Sequence, residues 1–267
     1  MPTARDIADA FEKICPRESG LKGDELGFIY GDPATPVAGV ACTWNVHANS
    51  IRRCIARGLN MIICHESAWM PAQQSPWYDG PKESEIAPNL MRKRLLDEHR
   101  MVVYRSHSNW DALPGDGVAD QANAALGIDG LRLVGRQRFF SVQELPRPMT
   151  VRELKQIVER NLGFDRCRIF GDASKTFSRF AFLIGGFGEN QYNMPQAAHG
   201  LGAEAIIIGE MSEFIVIGSL ELGMPVIESL HSISESPAIR RQAVVLAKAL
   251  PGVRVEFVPS GATAFEE

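Results

Sequence analysis

The sequence predicts an α/β fold made of two similar halves, each a sheet flanked by helices. Two observations support this prediction. Short apolar runs alternate along the chain with segments whose apolar residues recur at helical spacing, which is typical of α/β proteins. In addition, two stretches of the first half recur in the same order in the second half. We interpret this recurrence as an internal duplication.

The predicted elements follow from the alternation. Residues 4–15 are predicted to form an amphipathic helix, because Ile7, Ala10, Phe11 and Ile14 fall on one face. Strands are predicted at 37–43, 61–64, 101–104, 166–170, 180–184, 205–208, 226–227 and 253–258. Further helices are predicted at 47–58, 88–100, 118–126, 151–161, 191–200, 211–222 and 237–249.

Two pairs of segments carry the repeat. GLNMIICHE at 58–66 aligns with GAEAIIIGE at 202–210, and MVVYRSHSNWD at 101–111 aligns with PVIESLHSISE at 225–235. Chance could produce either match, since buried strands resemble one another, but it does not readily place a histidine followed by a carboxylate after both. We therefore predict a first half at residues 1–130. Residues 131–267 would hold a connecting segment, a candidate for subunit contacts, and the second half.

Composition and charge exclude several classes of protein. Of 267 residues, 45% are hydrophobic and 22% are charged, as in water-soluble globular proteins. Basic residues number 28 against 32 acidic ones, with no dense basic run, so nucleic acid is not expected as a main partner. No apolar run reaches the length of about 18 residues that a membrane span needs. The five cysteines form no Cys-x-x-Cys pair, and we expect a reducing, cytoplasmic location.

Three histidines occupy the same kind of position. Each comes at the carboxyl end of a predicted buried strand, where ligands of α/β proteins bind, and each has a carboxylate nearby. The pairs are His65 with Glu66, His107 with Asp111, and His231 with Glu235.

These nitrogen and oxygen donors, with no thiolate, suit Zn, Fe, Mn, Co or Ni, and six of them are enough for two ions with positions left open. Any single pair could be ordinary polar strand-end residues. Three pairs, two of them related by the repeat, favour a metal site.

Other residues leave alternatives open. Glu210, the repeat partner of Glu66, is a candidate proton acceptor or a residue that orients a ligand, but it is equally well explained as an acidic residue at a helix amino terminus. The backbone N–H groups of IGGFGEN at 184–190 could bind a phosphate, or its glycines could simply allow a tight turn. Asn123 could contact a substrate or simply lie on a helix surface, and we expect the latter. Aromatic residues near the candidate ligands could stack on a heterocycle or exclude solvent, namely Trp69, Trp77, Tyr78 and Trp110.

These residues also carry a family resemblance. The chain resembles the NIF-three-like proteins, whose bacterial members are often labelled GTP cyclohydrolase 1 type 2 homologues, over essentially its whole length. The matching segments are MIICHESAWMP, SHSNWDALPGDGVADQANAALGI, GAEAIIIGE and VIESLHSISESPAIRRQAVVLAKAL. The resemblance implies a dinuclear metal centre in the cleft between the two halves, and a homo-oligomer, often a hexameric ring.

The family's ligand pattern transfers to His65, His107, Asp111, His231 and Glu235. This chain departs from the pattern twice. Glu66 stands where the family has the second histidine of a pair, and Phe214 stands where a further histidine often occurs. Glu66 would either serve as a harder ligand or leave one metal position weak or empty.

The function expected from the sequence is a metal-dependent hydrolase. Two divalent transition metal ions per chain would activate water against a small molecule, of nucleotide-like or other heterocyclic type. The alternative is a non-catalytic metal-binding or regulatory assembly protein, which fits the naming of the family from a partner interaction. The cyclohydrolase label does not fix the substrate.

Overall fold

The computed structural model describes residues 1–71, 80–187 and 193–265. Among the candidates from the sequence, Trp77, Tyr78 and the end of the IGGFGEN segment lie outside the described residues. No helix within the described ranges is long and apolar enough to cross a membrane.

Helices and strands alternate along most of the chain. The helices are α1 (Ala4–Glu12), α2 (Ala48–Ala56), α3 (Ala87–Glu98), α4 (Ser108–Asp111), α5 (Val118–Ala125), α6 (Val151–Leu162), α7 (Asn193–Gly200), α8 (Glu213–Glu221) and α9 (His231–Ala249). The strands are β1 (Gly27–Tyr30), β2 (Val40–Thr43), β3 (Met61–Cys64), β4 (Val102–Arg105), β5 (Arg132–Gln137), β6 (Phe140–Thr150), β7 (Arg168–Phe170), β8 (Thr176–Phe187), β9 (Ala205–Met211), β10 (Val226–Glu228) and β11 (Val255–Phe257).

The chain divides into two compact units. The first contains residues 1–113 and 239–267, and its sheet has the order β1-β4-β3-β2-β11. All of its neighbouring strands run parallel except β1, which is antiparallel to β4. Every residue of β2, β3 and β4 is buried, which explains why these strands consist mostly of continuous apolar residues rather than alternating ones.

The second unit contains residues 114–238, and its sheet has the order β5-β6-β8-β9-β10-β7. Strands β8, β9 and β10 are parallel, whereas β5, β6 and β7 pair antiparallel with their neighbours. Apolar side chains cover both faces of this sheet, with Phe180 and Phe182 in one core cluster and Ala181 and Leu183 in the other. This distribution follows from the alternation of side chains along a strand.

The two sheets contain the same four-strand arrangement. The order β1-β4-β3-β2 in the first unit matches β7-β10-β9-β8 in the second, with the first strand antiparallel and the others parallel in both. The topology also draws attention to a match that the sequence comparison missed. IYGD at 29–32 corresponds to IFGD at 169–172, where Gly31 and Gly171 both turn the chain at positive φ, 82° and 93°. The two units therefore share the strand order that an internal duplication would produce.

The helices that precede β1 and β7 begin in the same way. Thr3 caps α1 in a capping box with Asp6, and Thr150 caps α6 in a capping box with Glu153. Each threonine hydroxyl accepts a hydrogen bond from a backbone N–H that the helix cannot satisfy, and each carboxylate returns to the N–H of the capping residue. The amphipathic patterns of both helices place their apolar faces in the core.

Several differences from the sequence predictions have physical reasons. Strand β8 extends beyond the predicted residues 180–184 at both ends. The β5–β6 hairpin was not predicted, because most residues of the edge strand β5 are exposed and show no apolar alternation. The predicted boundary near residue 130 differs from the grouping found here. Residues 239–267 group with the first unit because β11 pairs with β2. Asn123, expected on a helix surface, is buried, and its amide donates to Ala119 O and Ser141 Oγ.

Candidate metal centre

The first unit brings two histidines together at one edge of its sheet. Strands β3 and β4 are parallel neighbours in which Cys64 pairs with Arg105, so the residues that follow them leave the sheet side by side. His65 follows β3 directly, and His107 follows β4 after one intervening residue. Their ring centroids lie 4.9 Å apart. The carboxyl ends of parallel strands thus assemble this pair, as the sequence predicted for such positions.

Two carboxylates complete the first cluster. Helix α4 is a single turn, and the N–H of Asp111 donates to His107 O at 3.0 Å, which returns the Asp111 side chain toward the histidines. Asp111 Oδ1 lies 3.3 Å from His65 Nε2, and Glu66 Oε1 lies 3.5 Å from His107 Nε2. One ligand atom each from His65, His107 and Asp111 lie within 4.8 Å of one another.

The Nδ1 atoms of both histidines contact oxygen acceptors outside the cluster. His65 Nδ1 lies 3.2 Å from Ser106 O, and His107 Nδ1 lies 2.9 Å from Asp24 Oδ2. A ligand histidine in metalloproteins commonly donates its second N–H to a carbonyl or carboxylate in this manner. The contacts leave Nε2 of each ring directed toward a carboxylate of the cluster.

Neighbouring charged groups shift the pKa values of His107 and Asp24 in the first unit. Burial lowers the pKa of His107, but the hydrogen bonds with Asp24 and Glu66 outweigh it and raise that pKa to about 10. Burial raises the pKa of Asp24, whereas its hydrogen bonds with His107 and Ser108 dominate together and hold that pKa far below its ordinary value. Without a bound cation, the His107 ring is therefore protonated on both nitrogens. A metal ion would have to displace one of these two protons.

The second unit contains the remaining candidates. His231 is the first residue of α9, and Glu235 follows one turn later, with its Oε1 3.3 Å from His231 Nε2. On the other side of the ring, His231 Nδ1 lies 3.0 Å from Glu210 Oε1. Glu235 is buried, whereas Glu210, on β9, is exposed. His231 therefore repeats the arrangement of His107, with one carboxylate at each nitrogen.

Two glycines of β8 make room for this second cluster. A Cβ on Gly185, which has φ +74°, would lie 2.6 Å from Glu235 Oε1 and 2.8 Å from His231 Nε2. A Cβ on Gly186 would lie 2.7 Å from Glu210 Oε1 and 2.9 Å from His231 Nδ1. Both glycines, which belong to the IGGFGEN segment, lie in β8 rather than in a turn. Their close approach to His231 therefore explains why glycine stands at these two positions. Residues 188–190 of the segment lie outside the described residues.

The residues present fit a divalent metal ion. Asp111 Oδ1 is buried and makes no hydrogen bond within the described residues, although it lies 3.3 Å from His65 Nε2, and this is a costly arrangement for a carboxylate oxygen unless a cation compensates it. Imidazole nitrogen and carboxylate oxygen are also ligands that first-row transition metals accept. The types of ligand atom and the buried Asp111 carboxylate therefore both favour a divalent metal ion at this site.

The structure thus distributes the predicted residues over two clusters. His65, Glu66, His107 and Asp111 lie together in the first unit, and Glu210, His231 and Glu235 lie together in the second. Whether the two clusters share one centre stays a prediction. Sequence reasoning missed Asp24, which lies 83 residues before His107 in a segment without a motif, and it did not connect Gly185 and Gly186 with His231.

Two other residues near the candidate ligands lie in the core. Trp110 is fully buried and stacks on Phe11 at 5.9 Å, so it belongs to the core rather than to a ligand pocket. Cys64 is also buried, in β3. Phe214, which the family resemblance matches to a histidine, is exposed on α8.

Comparisons with known proteins agree with this architecture. The Duf34/NIF3 (NGG1p interacting factor 3) family profile matches residues 2–263. A "GTP cyclohydrolase 1 type 2 homolog" from Clostridium acetobutylicum is 26% identical over 258 residues, covering 93% of this chain and 89% of the relative. One from Streptococcus pneumoniae is 25% identical over 271 residues and covers 97% of each chain.

Solved structures show the same fold at low identity. A Bacillus cereus protein related to NIF3 aligns with a TM-score of 0.79 at 15% identity, covering 97% of each chain. Reduced HcgD from Methanocaldococcus jannaschii aligns with a TM-score of 0.73 at 16% identity, also covering 97% of each chain. Because the family profile spans nearly the whole sequence, the chain belongs to the Duf34/NIF3 family.

Proposed function

We propose that the protein is a metal-dependent hydrolase that acts on a small nucleotide-like or other heterocyclic molecule. One observation carries the proposal. In all three candidate histidines, Nδ1 contacts an oxygen acceptor while Nε2 faces a carboxylate of the same cluster. Histidines held in this manner are oriented for metal binding.

Each candidate residue has a defined part in the proposal. The three Nε2 atoms, with Asp111 and Glu235, would bind the ions, and a bound divalent ion supplies the Lewis acidity that brings the pKa of a coordinated water toward neutrality. Glu66, a harder ligand than the imidazole it replaces, favours Mn or Fe over softer ions. Glu210 would orient His231, and because it is exposed it could also accept a proton.

The proposal includes a dinuclear centre, which holds two ions per chain when fully loaded. Each cluster supplies at least one histidine and one carboxylate. Removing a histidine from either cluster should therefore lower the metal content of the protein.

Metal content tests the binding part of the proposal. Purified protein loaded with Mn, Fe, Zn or Co and desalted should hold one to two ions per chain by elemental analysis. His107→Ala and His231→Ala should each lower that content while circular dichroism stays unchanged. His199→Ala is the matched control, since His199 is exposed on α7 and should leave metal content unaltered. Equal metal content in all four proteins would contradict the proposal.

Turnover tests the catalytic part. Phosphoesters and cyclic amides would be screened with each metal, and activity should disappear on chelation and return when the metal is added back. Full activity in metal-free protein would overturn the proposal.

A second candidate function is a non-catalytic regulatory assembly protein. Exposed apolar residues on α8 favour it, because Phe214, Ile217 and Leu220 are 66%, 47% and 37% exposed at a spacing that places them along one side of the helix. Persistent absence of turnover, together with a specific protein partner whose binding is lost in Phe214→Glu, would favour this function over hydrolysis.

A further inference from the structure

We infer that Asp24 is a positioning residue that sets which nitrogen of His107 is available to a metal ion. The inference rests on the proposed metal binding but concerns a residue to which neither the family resemblance nor the sequence assigned a role. Asp24 lies in the segment before β1, and its side chain is only 12% exposed.

The other partners that the described residues give the Asp24 carboxylate are hydrogen-bond donors, so His107 Nδ1 is the one partner whose role depends on its tautomer. Oδ2 lies 2.9 Å from His107 Nδ1 and accepts from Ser108 N at 3.2 Å and Ser108 Oγ at 2.5 Å. Oδ1 accepts from Arg105 Nη1 at 2.6 Å. With these donors around it, the carboxylate requires the proton of His107 to be on Nδ1. Nε2, which faces Glu66, is then the nitrogen that can coordinate a cation.

Arg105 links this arrangement to the second histidine of the unit. Its Nε donates to His65 O at 3.1 Å while its Nη1 donates to Asp24 Oδ1. Arg105 is buried, so the link is shielded from water. The network therefore connects Asp24, through side-chain hydrogen bonds, to the backbone of one candidate ligand and the ring of the other.

Asp24→Asn tests the inference because it keeps the shape and removes one acceptor. The amide can offer its oxygen either to His107 and Ser108 or to Arg105, and in each orientation its NH₂ group meets a donor. The folded protein should then bind Zn²⁺ about 10–100-fold more weakly than the wild type, as loss of a hydrogen bond to a ligand histidine typically causes. Asp97→Asn is the matched control, since Asp97 accepts from Tyr30 Oη at 2.8 Å in the same unit and contacts neither histidine.

A double-mutant cycle separates positioning from a general structural effect. If Asp24 acts through His107, Asp24→Asn should weaken Zn²⁺ binding far less in a His107→Ala background than in the wild type. Nitrogen-15 NMR of the Zn²⁺-loaded wild type should show His107 protonated at Nδ1 and coordinated at Nε2. This signature should be lost or mixed in Asp24→Asn.

The outcomes are distinct. Wild-type protein that binds none of Mn²⁺, Fe²⁺, Zn²⁺ and Co²⁺ would overturn the proposed function and this inference together, and if it binds one of the others but not Zn²⁺ the same comparison is made with that ion. Wild-type protein that binds Zn²⁺, with equal affinity in Asp24→Asn or an equal loss in Asp97→Asn, would overturn the inference alone. If Asp24→Asn does not fold, Ser108→Ala is measured instead. It removes one donor to Asp24 Oδ2 and should weaken binding about threefold, the effect of one hydrogen bond, so unchanged affinity would again overturn the inference.

Discussion

Replacement of Gly209 by alanine should destabilise the protein, because the backbone around this residue leaves no room for a methyl group. A Cβ there would lie 2.4 Å from Gly185 O, 2.7 Å from His231 Cα and 2.7 Å from Ser234 Oγ. Carbon and oxygen atoms normally stay about 3.3–3.6 Å apart, so the start of α9 or strand β8 would have to move by about 1 Å. Two of the three neighbouring atoms are backbone atoms, which cannot swing aside as a flexible side chain would.

The expected cost is about 2 kcal/mol of unfolding free energy, within the range measured for overpacked cores. For a chain of this size that corresponds to a fall of about 4–8 °C in Tm. Because His231 carries one of the clashing atoms, the variant should also lose metal affinity.

Thermal unfolding of metal-free protein, followed by circular dichroism, measures this effect. Gly218→Ala is the matched control, since a Cβ at Gly218 meets nothing within 4 Å and alanine favours the helix in which Gly218 lies by about 1 kcal/mol. The control should therefore unfold at or above the wild-type temperature. A Gly209→Ala protein with an unchanged or higher Tm would refute the packing argument.

Three further predictions concern other parts of the molecule. Burial, with Arg92 and Arg53, lowers the pKa of His47 from 6.5 to about 4. The unfolded chain therefore binds more protons between these values, and stability should fall by up to about 3 kcal/mol as pH drops from 6.5 to 4. His47→Asn, which keeps a capping acceptor, should flatten this slope in urea unfolding, and an unchanged slope would contradict the assignment. Thr150→Ala should cost about 1 kcal/mol by removing the α6 cap, while Thr150→Ser should be near neutral in the same assay. Burial raises the pKa of the Cys64 thiol to about 12, so iodoacetamide at pH 8 should label Cys64 only after unfolding. Labelling of Cys64 in the folded protein, located by peptide mass spectrometry, would contradict its burial.

The strands that form the centre of each sheet were the most predictable part of the fold. Met61–Cys64 was predicted at its observed bounds, because a strand buried on both faces is a short continuous apolar run. The β5–β6 hairpin could not be predicted in this way, since an exposed edge strand such as β5 leaves no hydrophobic signal.

The residues of the candidate site also differ in whether a local sequence pattern identifies them. His65, His107 and His231 could be selected from sequence because each comes just after a recognisable buried strand, and the repeat singled out two of them. Asp24 could not be selected, because its contact with His107 joins two segments 83 residues apart and no local pattern records it. The role of Gly185 and Gly186 was equally hidden, since a glycine pair in a strand gives no indication of which side chain lies against it.

Local patterns were enough to predict an α/β protein with a repeat and to place its histidines after buried strands, because hydrophobic periodicity and repeats are properties of neighbouring residues. They could not show which nitrogen of each histidine faces a carboxylate, which oxygen atom holds the other nitrogen, or which glycines make room for the ring of His231. These properties depend on contacts between residues far apart in the chain, and such contacts exist only once the sheets have formed.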